Sequence, residues 1–162
     1  MQVIKDKQVL DDDWQLIREI DEAAPLPEGK VILPFPYWKD NRDALLKQNS
    51  VQAVWIDGNI ETASLVDDLS KFDLIALDFP AFKDGRSYSH ARLLRQRYNY
   101  EGEIRAIGDV LRDQLFYMLR CGIDSFQLKE GKDAEDALKA FEDFTVRYQA
   151  AADDAVPVYK LR

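Results

Sequence analysis

Short apolar runs alternate with segments of helical periodicity along residues 31–148, and this alternation constrains the fold more than any other feature. The clearest run covers residues 72–79, where the residues at 74–77 are apolar without interruption. Such a run is typical of a strand that is buried on both faces of a sheet. Strands that alternate with helices predict a parallel sheet with helices packed on its faces.

Five strands are predicted, at residues 31–34, 51–56, 72–79, 103–107 and 123–128. Helices are predicted at residues 38–49, 61–70, from 87 onward, 109–120 and 133–148, the last of them capped by Asp133. We therefore expect an α/β fold with a mostly parallel five-stranded sheet. A flavodoxin-like doubly wound order is the first choice, and half of a (β/α) barrel, completed by a partner subunit, is the alternative.

The two ends of the chain have a different character from the middle. The first ten residues suggest a hairpin that turns at Asp6 and Lys7, residues 16–22 suggest a short helix, and nearby prolines suggest a linker. We expect three regions, namely an N-terminal hairpin and linker at 1–30, one α/β domain at 31–148, and a mobile tail at 149–162.

Composition narrows the class of protein. Apolar residues make up 46% and charged residues 32%, as in a folded domain. The single cysteine, Cys121, excludes an intrachain disulfide, a Cys-x-x-Cys redox pair and a four-cysteine iron–sulfur cluster. We expect a small buried thiol there. Because neither a leader pattern nor a membrane-length apolar run is found, the expected location is the cytoplasm.

Charge is distributed unevenly. Residues 83–112 hold seven Lys or Arg against four Asp or Glu, a local balance of +3 in a chain of net charge −8, which leaves −11 for the remainder. A surface that is mostly acidic repels nucleic acid, so a nucleic-acid-binding protein is not expected. A small anion, or an acidic patch on a partner protein, suits the local basic segment better.

The connection at residues 80–101 is the longest of the predicted sheet, and it begins where parallel sheets bind their ligands. We expect a turn at Asp84 and Gly85, and Ser87 as the cap of the following helix. The predicted anion-binding residues are Lys83, Arg86, Ser87, Tyr88 and Arg95. The alternative is a solvated arginine-rich helix whose guanidinium groups pair with nearby carboxylates.

Three residues are candidates for acid–base catalysis. His90 is the only histidine, and Asp78 and Asp109 lie at strand-to-helix junctions. Turn and capping roles explain the two aspartates equally well. We find no dinucleotide, P-loop, nucleophile-elbow or histidine-cluster motif, and no metal site is predicted. Whether the chain is an enzyme is left open.

Three motif segments carry a family resemblance: DFPAFKDGRSYSHARLLR at 78–95, GEIRAIGDVLRDQ at 102–114 and RCGID at 120–124. With them the chain resembles a bacterial family of unknown function that is labelled a probable oxidoreductase of sulfite reduction and is encoded beside assimilatory sulfite reductase. The resemblance covers about residues 30–148. One departure is Ile123, where phenylalanine is the more frequent residue of the family.

The resemblance implies an accessory protein of assimilatory sulfate or sulfite reduction, and so of cysteine biosynthesis, that docks with sulfite reductase or its electron donor. The alternative is an enzyme or sensor that binds a small oxyanion or a phosphorylated substrate at the loop 83–89. No intrinsic cofactor is expected, and a nucleotide or flavin borrowed from a partner is left open, as is a homo-oligomer. Neither nucleic acid nor membrane is an expected partner.

Overall fold

The computed structural model of the chain describes residues 1–48, 52–81 and 83–142. Within them, eight strands form a single sheet: β1 Gln2–Lys5, β2 Gln8–Asp11, β3 Trp14–Leu16, β4 Lys30–Pro34, β5 Ala53–Ile56, β6 Leu74–Phe79, β7 Glu103–Gly108 and β8 Ser125–Phe126. The α/β class is confirmed. The predicted sheet of five mostly parallel strands is wrong, because the sheet has eight strands and is mixed.

The N-terminal segment supplies the three additional strands. β1 and β2 form the predicted antiparallel hairpin, and Asp6 and Lys7 turn it with φ angles of 51° and 58°. The helix predicted at 16–22 is wrong, because β3 pairs with β4 in parallel there. The pairing continues past β3, where the Ile17 amide donates to the Ile32 carbonyl at 3.0 Å.

The order of the strands decides between the two predicted architectures. It runs β2-β1-β8-β7-β6-β5-β4-β3, so β3 to β8 lie side by side in chain order and are all parallel. A doubly wound sheet reverses its direction at a switch point, and this one does not. The flavodoxin-like order is therefore wrong, and the half-barrel alternative is confirmed as a curled half-barrel sheet. Within the described residues, the buried side chains of the α-helices pack on one face of this sheet, which we call the outer face.

The helices are short and partly irregular. The five α-helices within the described residues are α1 Phe35–Asp40, α2 Arg42–Lys47, α3 Arg86–Arg92, α4 Leu115–Arg120 and α5 Ala134–Leu138. The helix predicted at 61–70 is a 3₁₀ helix, Thr62–Lys71. Asp133 caps α5 as predicted, because its carboxylate accepts from the amides of Glu135 and Asp136. No helix in the described part of the chain is long and apolar enough to span a membrane.

The C-terminal predictions are only partly covered. A 3₁₀ turn, Lys139–Glu142, continues α5, and the rest of the helix predicted at 133–148 and the tail at 149–162 lie outside the described residues. The proposed boundaries of the three regions therefore stay a prediction.

Each face of the sheet has its own core. On the outer face, strand residues such as Ile75, Leu77 and Ile104 pack with helix residues such as Leu94 and Met118. The inner face carries a smaller cluster: Ile32, Ala53, Leu74, Ala76 and Ile107, with Trp14, Leu16 and Trp55 packed against it. The alternation of strand side chains between the faces divides the residues of β4 to β7 between these two clusters.

The two edges of the sheet approach each other at one end. β2 ends at Asp11 and β3 begins at Trp14. Since three residues of extended chain span about 11 Å at most, these edge strands lie close together there. Asp12, in the link between them, pairs with Arg105 of β7. This ion pair ties the link to the middle of the sheet.

Candidate functional site

The carboxyl ends of β5, β6 and β7 and the loops that follow them hold most of the predicted site residues. α3 begins at Arg86, and Gly85 occupies its N-cap position, so the predicted capping role of Ser87 is wrong. Ser87 lies inside the first turn, where its buried hydroxyl donates to the Asp78 carbonyl at 2.6 Å. This bond fixes the start of α3 against the end of β6.

Arg86 is held by its own loop. Its Nε and Nη2 atoms donate to the two carboxylate oxygens of Asp84 at 3.0 and 2.7 Å, and Nη1 donates to Asn59 Oδ1 at 2.8 Å. The hydrogen bonds from the Arg86 side chain and amide lower the pKa of Asp84 to about 2. The positive charge of Arg86 is thus largely balanced within the loop, where Lys83 is exposed.

Tyr88 lies on the side of α3 that packs against the sheet. Its ring lies edge-on to Phe79 with a centroid distance of 5.0 Å, and 5.1 Å from the ring of Tyr117. Burial raises the pKa of Tyr88 to about 12. The phenol is therefore protonated near neutral pH, and its ring joins β6 to α3 and α4.

Arg95 is directed to the opposite end of the sheet. Its guanidinium donates to three backbone carbonyl oxygens, those of Gly122, Tyr100 and Gly102, at 2.6–2.9 Å. Its Nη2 also lies 3.0 Å from Asp124 Oδ2. Arg95 therefore links the loops that lead into β7 and β8, and the structure does not bring it together with Arg86.

His90 is buried between α3 and the segment that follows β5. Its Nδ1 lies 2.6 Å from the Thr62 hydroxyl. The pKa of His90 is lowered mainly by burial, against the opposing effect of the Asp57 backbone and carboxylate. The ring is thus neutral at pH 7, and the described contacts hold it in place on the outer side of the sheet.

Asp78 is paired with a residue that the sequence did not indicate. Its Oδ1 lies 2.8 Å from Nη1 of Arg18, and the Asp78 side chain is only 10% exposed. The guanidinium carbon of Arg18 lies 5.3 Å from the centroid of the Trp55 ring, within the range of a cation–π contact. Arg18, Trp55 and Asp78 form a group at the carboxyl end of the inner face, which we call the mouth cluster.

Asp109 follows β7 on the same edge, and its amide donates to the Phe79 carbonyl at 2.7 Å. Its carboxylate lies 2.8 Å from Nζ of Lys129, beyond β8. Arg86, in contrast, is bound on the β5 side through Asn59. The Lys129 and Asn59 contacts therefore lie on opposite sides of the β6–β7 pair, and an acid–base role for Asp109 stays a prediction.

α3 continues into a π-helical turn, Leu93–Arg97, in which the Tyr98 amide donates to the Leu93 carbonyl at 3.0 Å. One side of this continuous helix faces solvent and borders a depression of about 380 Å³. Its lining residues are Ser89, Arg92, Leu93, Gln96 and Arg97. We call this surface the arginine face. Such π turns are frequent at functional sites.

Tyr117 of α4 is an exposed aromatic residue that contacts α3, since its ring centroid lies 5.1 Å from that of Tyr88. Tyr117 is 57% exposed, which makes it the second most exposed large apolar residue among the described ones. The pKa of Tyr117 is raised, first by the neighbouring Cys121 thiol and then by burial, while Arg92 and Arg120 oppose the shift. Cys121 itself is buried, as predicted.

Sequence reasoning missed Arg18 and Trp55. Arg18 lies in the segment interpreted as a helix and linker, so nothing in its neighbourhood marked it. Trp55 occupies a strand position that faces the inner side of the sheet, between the outward-facing Val54 and Ile56. A signal was available in Trp55, since a large aromatic residue near the carboxyl end of a parallel strand is well placed to line a ligand site. No group of three His, Cys, Asp or Glu side chains in the described ranges could hold a metal ion.

Taken together, these features define an α/β protein whose curled half-barrel sheet carries a charged mouth cluster and a basic helix face. The chain belongs to a bacterial protein family of unknown function (DUF934), whose model matches residues 53–159. The match begins at the first residue of β5, so Arg18 lies ahead of it. None of the curated proteins matches the chain. Membership of an uncharacterised bacterial family is thereby confirmed.

Proposed function

We propose that this chain is an accessory protein of assimilatory sulfate and sulfite reduction, which docks through its arginine face onto an acidic surface of sulfite reductase or of its electron donor. The observation that carries the docking part is that Arg92 and Arg97 are exposed and have no carboxylate partner within the described residues. The pathway part comes from the family resemblance.

The five arginines between positions 86 and 105 differ in what they bind. Arg86, Arg95 and Arg105 pair with carboxylates of the chain itself. Arg92 has only a long contact, 3.5 Å, with Gln96, and Arg97 lies 5.7 Å from the centroid of the Tyr98 ring. Arg105 belongs to β7 and not to the helix. The interpretation of a helix whose arginines pair with nearby carboxylates therefore fits Arg86 and Arg95, and it leaves Arg92 and Arg97 available to a partner.

The negative charge of the remaining surface would orient an acidic partner toward the arginine face. The chain has a net charge of −8, so a positive face is surrounded by a surface that repels an acidic partner. Complementary charge of this kind orients an encounter and speeds it. Arginine and tyrosine are also enriched among the residues that dominate the binding energy of interfaces, and Tyr117, which packs on Tyr88 of α3, is exposed.

This role requires no redox group in the chain itself. The accessory protein would assist assembly or electron delivery, and the chemistry would be that of sulfite reductase. The proposal thus agrees with the lack of a redox motif in the sequence. It also assigns no catalytic duty to Asp78, His90 or Asp109.

The test is co-purification of sulfite reductase subunits with the tagged chain at physiological salt. The decisive variant is the double charge reversal Arg92→Glu/Arg97→Glu. The matched control is Lys39→Glu/Lys47→Glu, which makes the same change in net charge on exposed positions of α1 and α2. We expect the wild type and the lysine control to retain the subunits, and the arginine variant to lose them.

Two results would overturn the proposal. One is that the wild type retains no subunit of sulfite reductase or of its electron donor. The other is that the arginine variant retains them as well as the lysine control does. Because surface charge contacts are screened by salt, the association should also weaken as ionic strength rises.

Binding of a small oxyanion is the second candidate function, and the mouth cluster favours it. The loop 83–89, first expected to hold the anion, uses Arg86 and Ser87 for its own contacts. Arg18, by contrast, presents a guanidinium to solvent at the carboxyl end of the sheet.

A further inference from the structure

Two hydrogen bonds of Ile17 fix the segment that carries Arg18 to the parallel strands. The Ile17 amide donates to the Ile32 carbonyl at 3.0 Å, and the Ile17 carbonyl accepts from the indole Nε1 of Trp55 at 2.8 Å. Arg18 therefore does not project from a free loop. Its backbone is attached to β4 and β5 at the residue just before it.

The side chain of Arg18 is also held, by two different groups. Its Nη1 lies 2.8 Å from Oδ1 of Asp78, and its guanidinium carbon lies 5.3 Å from the centroid of the Trp55 ring. Ordering a long side chain before a ligand arrives removes part of the entropy cost of binding. Arginine in such a stacked and paired position is not replaceable by lysine without loss of geometry.

The group that a ligand would meet is the guanidinium and not the carboxylate. The side chain of Arg18 is 41% exposed, whereas that of Asp78 is 10% exposed. Within the described ranges, Asp78 is the one residue with which Arg18 shares a polar contact. A guanidinium carries five N–H donors, so most of them are left for an acceptor from solvent.

The position of the cluster agrees with its chemistry. Asp78 is the penultimate residue of β6, and the Trp55 side chain lies near the end of β5, so both belong to the carboxyl edge of the parallel strands. Ligands of parallel α/β sheets bind beyond that edge. The fold thus presents an ordered cation at the place where such folds carry their sites.

We infer that Arg18 binds a small oxyanion at the mouth of the curled sheet, with Asp78 as the residue that positions it and Trp55 as the surface on which it stacks. The ligand class is an anion with two or more acceptor oxygens, as in sulfite, sulfate, phosphate or a carboxylate, because these accept hydrogen bonds from the guanidinium fork. This inference deepens the second candidate function and does not depend on the docking proposal.

The experiment follows the indole N–H resonance of Trp55 by NMR while the purified chain is titrated with sulfate, sulfite, phosphate and acetate at constant ionic strength. Comparison of the four anions identifies the preferred oxyanion. We expect a saturable shift with at least one of them. Arg18→Lys, which keeps the charge beside Asp78, should weaken that binding by about tenfold or more. Arg112→Lys, the same change at an exposed arginine that pairs at the surface with Asp136, should leave it unaltered.

A second variant covers the case in which Arg18→Lys fails to fold. Trp55→Phe removes the indole but leaves the Arg18–Asp78 pair, and calorimetry then reports its affinity. We expect weaker binding than in the wild type. The inference is overturned if none of the four anions gives a saturable response, or if Arg18→Lys and Arg112→Lys weaken binding equally. A failed pull-down with a positive titration would remove the docking proposal alone, and the reverse pair of results would remove this inference alone.

Discussion

Arg105 and Asp12 form a bidentate ion pair on the inner face of the sheet, with Nη1–Oδ2 and Nη2–Oδ1 distances of 2.6 and 3.2 Å. The side chains are 2% and 5% exposed. Glu103 accepts from the Nε and Nη2 atoms of Arg105, and Lys5 lies 2.6 Å from the other Glu103 oxygen. This network joins the N-terminal hairpin to the parallel strands.

Removing the charge of Asp12 should therefore destabilise the fold. Asp12→Asn leaves the buried guanidinium of Arg105 with one carboxylate in place of two, and breaking a buried pair in this way costs about 3 kcal/mol. Urea denaturation at pH 7 measures the loss. The neighbouring change Asp13→Asn is the control, since Asp13 is 71% exposed and pairs only at the surface with Lys30. Equal effects of the two changes would contradict the structural role given to Asp12.

The network also predicts how stability depends on pH. Burial acts to raise the pKa of Glu103, but Lys5 and Arg105 outweigh it, so the pKa lies below the ordinary value of 4.5. A lowered pKa means that Glu103 contributes stability above pH 4.5, which is lost as the pH falls through the folded-state pKa. The difference in unfolding free energy between the wild type and Glu103→Gln should be constant near neutral pH and should shrink in acid. A difference that grows in acid would be incompatible with this account.

His90 should titrate below its ordinary pKa of 6.5, because its ring is buried. As the only histidine, it gives one imidazole signal in an NMR titration. In the folded chain the midpoint should lie below 6.5, and in concentrated urea it should return to about 6.5. Because the unfolded chain takes up the proton first, the folded state loses stability below that pH. A folded-state midpoint at or above 6.5 would show that the ring is not buried as described.

Gly108 lies beside Asp78 of the mouth cluster, and substitution there tests how tightly the backbone packs at this point. Gly131, in open space, is the matched control. Gly108 has φ +93°, and a Cβ atom there would lie 2.6 Å from the Phe79 carbonyl oxygen and 2.7 Å from Asp78 Oδ1. Gly131 has φ +81° with open space around it. Gly131→Ala should cost about 1 kcal/mol from backbone strain, and Gly108→Ala about 3 kcal/mol from strain and steric conflict together. Thermal and urea unfolding measure the stability of both variants. Equal losses of unfolding free energy would mean that the backbone around Gly108 is less closely packed than described.

The sequence predicted seven of the eight strands and missed β3. Continuous apolar runs marked β4, β5 and β6, because burial on both faces leaves a local signal. β3 has only three residues, and the apolar spacing of Leu16, Ile17 and Ile20 imitates a helix. The order of the strands left no local signal at all, since it follows from contacts between segments far apart in the chain.

The candidate site was predicted in the same uneven way. Asp78 was placed correctly at the end of a strand, but its partner Arg18 comes from a segment that had the composition of a linker. Arg86 was expected to face a ligand, and its neighbour Asp84, two residues earlier, binds it instead. Pairs between a loop and a distant segment, or within one turn, are decided by the folded geometry and not by residue type.

The central claim is that the arginine face supports sulfite reduction, and growth of a strain lacking the gene tests it most directly. On sulfate, sulfite, sulfide or cysteine as the sole sulfur source, we expect growth on sulfide and cysteine only. The wild-type gene and the Lys39→Glu/Lys47→Glu variant should restore growth on sulfate and sulfite, and Arg92→Glu/Arg97→Glu should not. Growth of the deletion strain on all four sources would contradict the claim.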